Sequence, residues 1–142
     1  MNSKRLNLGL RRIAAVLAGL LAIFILSTVT DLALHATGFY PPWTEPMNDL
    51  HAFVATAYRL VFSIFGCYLA ARIAPDRPMR HALALGIVGI LISLAGAVAT
   101  WNADLGPRWY ALGLVIVSLP CAWLGGWLRV SQENARAVGG EI

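Results

Sequence analysis

The sequence predicts an all-α polytopic membrane protein: a four-transmembrane-helix bundle with both termini on the cytoplasmic side. Three observations predict it. Of the 142 residues, 58% are hydrophobic and only 13% charged, too little polar surface to cover a water-soluble globule of this size. Four segments, 13–34, 52–73, 82–100 and 110–128, reach the roughly 17–25 residues that cross a hydrocarbon core about 30 Å thick. With the N-terminus inside, Lys4, Arg5, Arg11, Arg12, Arg72, Arg77, Arg80, Arg129 and Arg136 all fall on the cytoplasmic side, leaving Arg108 alone outside. That asymmetry is the positive-inside pattern, and it accounts for the net charge of +4 without a nucleic-acid partner.

The first span follows a short basic tail, residues 1–11. Lys4 and Arg5 before an apolar run imitate a secretory signal, but such h-regions cover only about 7–15 residues. This run is longer and ends at Asp31, so it is expected to be a retained helix. The connection that follows, H-A-T-G-F-Y-P-P-W-T-E-P-M-N-D from His35, is the longest. Its prolines and aromatics describe a semi-rigid external loop at the headgroup level.

The second span carries Arg59 in its interior, and the tight internal turn A-P-D-R-P-M-R-H leads on to the third. The arginines of that turn are placed to face anionic lipid, and His81 is expected to touch headgroups. Small residues recur at helix-contact spacing: Gly89, Ser93 and Ala97 form one row, Ala82 with Gly86 another, and Gly66 with Ala70 a third. Such rows let membrane helices approach closely, within one chain or between copies.

A second external turn, W-N-A-D-L-G-P-R-W-Y, opens the fourth span, where Pro120 after Ser118 predicts a kink. Residues 129–142 form the second cytoplasmic tail. Cys67 and Cys121 fall near the cytoplasmic ends of spans two and four, outside any C-x-x-C pair, as small residues at helix contacts. The two halves share a faint compositional parallel, a helix pair with a Pro- and Trp-containing loop, which falls short of a repeat.

Arg59 and Asp31 are the most informative residues. An arginine in mid-span costs about 2.5–3.5 kcal/mol unless it is paired or watered. Helical rise places Asp31 about 28 Å from Arg12 and Arg59 about 20 Å from Arg72, so a snorkelling Arg59 reaches the level of Asp31. An Asp31–Arg59 contact is therefore expected. His51 lies close to the helical face of Arg59, Tyr58 flanks it, and His35 stands at the loop entrance, allowing one cluster under the outer rim.

Three uses of that cluster differ in kind. A buried ion pair would fix helix register. An anion- or proton-linked transport site would take Arg59 as anchor and His51 as the titrating group. An enzyme acting on lipid or quinone would need His51 as base, without a nucleophile, metal or cofactor signature to support it. A metal site from His35, His51 and Asp31 lacks local ligand spacing, so neither metal nor cofactor is expected. The leading expectation is a structural, accessory or interaction role rather than an enzyme. Membrane lipids are the expected partners, with a second copy of the chain or a larger membrane protein beside them.

Five segments carry a resemblance: D-L-A-L-H-A-T-G-F-Y-P-P-W from Asp31, A-T-A-Y-R from Ala55, A-A-R-I-A-P-D-R-P-M-R-H-A from Ala70, G-P-R-W-Y from Gly106 and L-P-C-A-W-L-G-G from Leu119. Together they make the chain resemble a family of small bacterial four-span membrane proteins, over nearly its whole length. The resemblance implies a bacterial inner-membrane location and this architecture, and no activity. In size the chain is also close to the small multidrug resistance transporters. It lacks their membrane-embedded Glu in the first helix, and Asp31 lies too near the outer edge to replace it.

Overall fold

The computed structural model describes residues 3–140 as four helices: α1 Ser3–Ala36, α2 Asp49–Ile73, α3 Pro78–Thr100 and α4 Arg108–Gly139. Each is long and apolar enough to cross a membrane. The ends differ from the expected spans. α1 begins at Ser3 and α4 runs to Gly139, so much of both tails is helical. Neither stretch holds a proline to stop it, and the far end of α4 gains an Arg129–Glu133 pair at 2.9 Å and a Tyr68 hydroxyl donating to Gln132 at 2.8 Å.

Local chemistry sets the other boundaries. Asn48 caps α2, its side chain accepting from the His51 amide at 2.9 Å. Pro78 supplies the first turn of α3, where its missing N–H costs nothing. α1 closes on Gly38 at φ 76°, with Phe39 N bonded to the Leu34 carbonyl and Gly38 N to that of His35. This two-bond closure needs a left-handed residue, which glycine adopts without a Cβ clash.

Packing follows membrane rules. Apart from Leu85, the fully buried residues are small, Ala15, Ala55, Ala70 and Ala122 among them, whereas Phe24, Leu91, Val98 and Ile116 are exposed. A medium as apolar as leucine gives no drive to hide large side chains, so close backbone contact holds the bundle. Gly66 packs on Gly19 and Ile23 of α1, Gly86 on Ala122, and Gly125 on the backbone of α2, where an added Cβ would sit 2.6 Å from the Ile64 carbonyl oxygen. Of the two small-residue rows expected in α3, the one of Ala82 and Gly86 makes such a contact through Gly86, whereas Gly89, Ser93 and Ala97 line a groove.

Tryptophans mark both ends. Trp109 and Trp127 stand about 27 Å apart along α4 by helical rise, close to the thickness of a hydrocarbon core. At the loop end, Met47 N bonds the Leu105 carbonyl at 3.0 Å and the Trp109 indole donates to Asp49 at 2.8 Å, tying the two connections together. At the opposite end Arg12 makes a two-pronged bond to Asp76, at 3.0 and 2.7 Å. That hydrogen-bonded guanidinium holds the Asp76 carboxyl below its ordinary range. His81 is buried, Nδ1 against the Arg77 carbonyl at 3.2 Å, and so is not the headgroup contact expected of it.

An ion pair at the end of a groove

α1 and α2 run antiparallel, which brings residue 31 of one beside residues 58 and 59 of the other. Arg59 Nη2 donates to Asp31 Oδ2 at 2.6 Å, and the Tyr58 hydroxyl donates to Asp31 Oδ1. Arg59 Nη1 donates to the Tyr110 hydroxyl at the start of α4, and its guanidinium lies 5.4 and 5.7 Å from the ring centres of Tyr58 and Tyr110. One charged pair thus joins three helices. Each partner keeps about a quarter of its side chain exposed, 25% for Arg59 and 22% for Asp31. A mid-membrane arginine finds here both its counter-ion and two aromatic faces.

Tyr40 extends the network. This loop residue is 3% exposed, and its hydroxyl lies 3.3 Å from that of Tyr58 and 3.4 Å from the His51 carbonyl. Burial pushes its phenol pKa up, and the bond to Tyr58 opposes that shift. The loop between α1 and α2 therefore folds inward at Tyr40, where an interfacial loop was expected, because Tyr40 must place its hydroxyl on a partner once its ring is buried.

His35 and His51 stand near the network without joining the pair. His35 Nδ1 donates to the Asp31 backbone carbonyl at 2.8 Å, and the ring stacks on Trp43 at 3.7 Å. His51 packs edge-on against Phe39 and Tyr40, and its buried Nδ1 has no partner among the described residues. His51 is not part of the groove wall, so it cannot serve as a base toward anything held there. No three metal-ligating side chains converge among the described residues.

Sequence reasoning missed Tyr40 and Tyr110. Nothing local distinguished Tyr40 from other interfacial aromatics. Tyr110 carried a usable signal, since a tyrosine opening span four sits at the membrane depth where Arg59 needs a partner.

The pair closes one end of a groove. α1 meets α3 where Gly19 faces Leu85, and it does not approach α4 among the described residues. Toward the loop end the helices part, leaving a half-open cavity of about 780 Å³. Leu20, Ile23, Leu85 and Leu114 give it apolar walls, and Asp31, Arg59 and Tyr110 give it a polar end. Asp31 and Arg59 are its only charged lining residues among the described residues. A smaller outer crevice of about 210 Å³, beside Trp101 and Arg108, shares Ala97, Thr100, Tyr110 and Ala111 with it. Tyr110 thus stands between the groove and that crevice.

No protein-family model matches the chain, and neither a curated protein nor a solved structure is significantly similar to it.

Proposed function

We propose that this chain is a non-enzymatic, accessory protein of the bacterial inner membrane, with both termini cytoplasmic, whose working part is the groove. In this reading an amphiphilic molecule enters from the bilayer, lays its apolar part along α1 and α3, and places its polar part at Asp31, Arg59 and Tyr110. The observation that carries it is the cavity of about 780 Å³ with apolar walls and a single charged pair at one end. That volume and that sparse polarity are those of a small-molecule site. Partial exposure of the pair supports it too, since a bond serving only to set helix register would be sealed. The distribution of Lys and Arg supports the orientation. Membrane lipids are the proposed partners, alongside a second copy or a larger membrane protein, and no nucleic acid.

A second reading rests on Tyr110. Because it lines both cavities, rotation of its ring would join groove to outer crevice and turn a binding site into a passage. That is the transporter alternative, with Arg59 holding Tyr110 in place.

Saturation tests the binding reading. The protein is reconstituted in phosphatidylcholine vesicles with a photoactivatable single-chain lipid, and the labelled residues are mapped by mass spectrometry. Labelling at Ser93 and Leu114 in the groove should saturate as the probe's mole fraction rises. Labelling at Val98 and Ile116, each 72% exposed on the outside, should rise in proportion. Proportional labelling at all four positions would overturn the proposal.

A further inference from the structure

We infer that the groove selects an uncharged single-chain amphiphile whose head offers hydroxyl or carbonyl oxygens, as a monoacylglycerol does, and rejects the same chain bearing a phosphate. This deepens the binding reading above and rests on it.

The first argument is charge. Asp31 and Arg59 cancel each other, and no other charged residue among the described ones lines the groove. A phosphate head bonded to the remaining Arg59 N–H groups would bring its negative charge beside the Asp31 carboxylate at the end of an apolar cavity, leaving an excess charge there with no counter-ion. A cationic head at Asp31 would set its charge beside Arg59 in the same way. Only a neutral head leaves the pair balanced.

The second is the hydrogen-bond inventory. A guanidinium carries five N–H donors, and two of those on Arg59 are engaged among the described residues, one by Asp31 and one by Tyr110. Each carboxylate oxygen of Asp31 has one such partner and room for another. The polar end therefore offers both donors and acceptors, which a diol head matches in both senses. Ser27, one turn below Asp31 on the groove wall, has a hydroxyl without a partner among the described residues. An entirely hydrocarbon occupant would leave all of these unmatched, at a desolvation cost.

The third is shape. α1 touches α3 where Gly19 faces Leu85, a groove-lining residue, and from there to Asp31 α1 rises about 18 Å. A slot of about 780 Å³ over that length suits one extended chain better than two.

Competition against the saturable groove label tests this. A monoacylglycerol and a lysophosphatidic acid with the same acyl chain differ only at the head. The monoacylglycerol should displace the label from Ser93 and Leu114 at a mole fraction at least about ten times lower. Asp31→Asn frees Arg59 from its counter-ion and should reverse that order, a result no general change in lipid packing would give. Should Asp31→Asn not fold, the wild-type comparison still decides. Equal displacement by the two lipids, or preference for the phosphate, overturns the inference while leaving the groove as a binding site. Loss of the saturable label altogether would overturn both.

Discussion

Arg59 Nη2 sits 2.6 Å from Asp31 Oδ2, within a bundle whose outer faces are almost wholly apolar. Neither charge is tolerable there without the other. Arg59→Ala should leave a carboxylate with one phenol for company and lower stability by about 3 kcal/mol, toward the low end for buried pairs because both side chains are partly exposed. The double change Asp31→Asn with Arg59→Gln should recover much of that loss, since two amides can bond each other at lower desolvation cost. Thermal denaturation in detergent compares the three, and an unaltered Arg59→Ala melting temperature would remove the pair from any structural role.

Glycine contacts should separate just as clearly. A methyl at Gly125 meets the Ile64 carbonyl oxygen at 2.6 Å and the Tyr68 amide nitrogen at 2.7 Å, and backbone cannot swing aside. Gly125→Ala should destabilise by about 1–3 kcal/mol. Gly113, with nothing within 4 Å of its would-be Cβ, should accept alanine with no loss and a slight gain in helix propensity. Measuring both in one denaturation series checks whether α4 is held to α2 by backbone approach.

The Arg12–Asp76 clamp gives a pH dependence of known sign. Its carboxyl titrates lower folded than unfolded, so the clamp contributes its full stability above the ordinary carboxylate pKa and loses it as pH falls through the depressed folded value. Arg12→Gln should therefore differ from wild type at neutral pH and converge on it in acid. Because the pair is exposed the difference should be small, and melting curves between pH 7 and pH 3 would show it.

Orientation has a simple readout. Fused after residue 142, a fluorescent protein that folds only in the cytoplasm should shine, and alkaline phosphatase, active only outside, should stay silent. The opposite result would reverse the topology.

How much of this was legible in the sequence depends on whether a residue acts within one helix or between helices. The four spans could be read because apolar length is a one-dimensional property. Arg59 and Asp31 could be paired because each is costly alone and helical rise sets their depths. The groove could not be read, since the row Gly89, Ser93 and Ala97 has the spacing of a packing seam whether or not a neighbour arrives. Gly19 and Gly125 had the same kind of signal, each four residues after a buried small residue, Ala15 and Cys121. The inward turn of Tyr40 depends on the Gly38 closure and on a partner from another helix, which no local pattern encodes.

Plugging the groove tests its role most directly. Ser93→Trp puts a large side chain into the groove wall, and Ile116→Trp puts the same side chain on the lipid-facing surface. With both variants folded to the same melting temperature as wild type, photolabelling in phosphatidylcholine vesicles should lose its saturable component at Leu114 in Ser93→Trp and keep it in Ile116→Trp. A saturable label at Leu114 that survives Ser93→Trp would contradict binding in the groove.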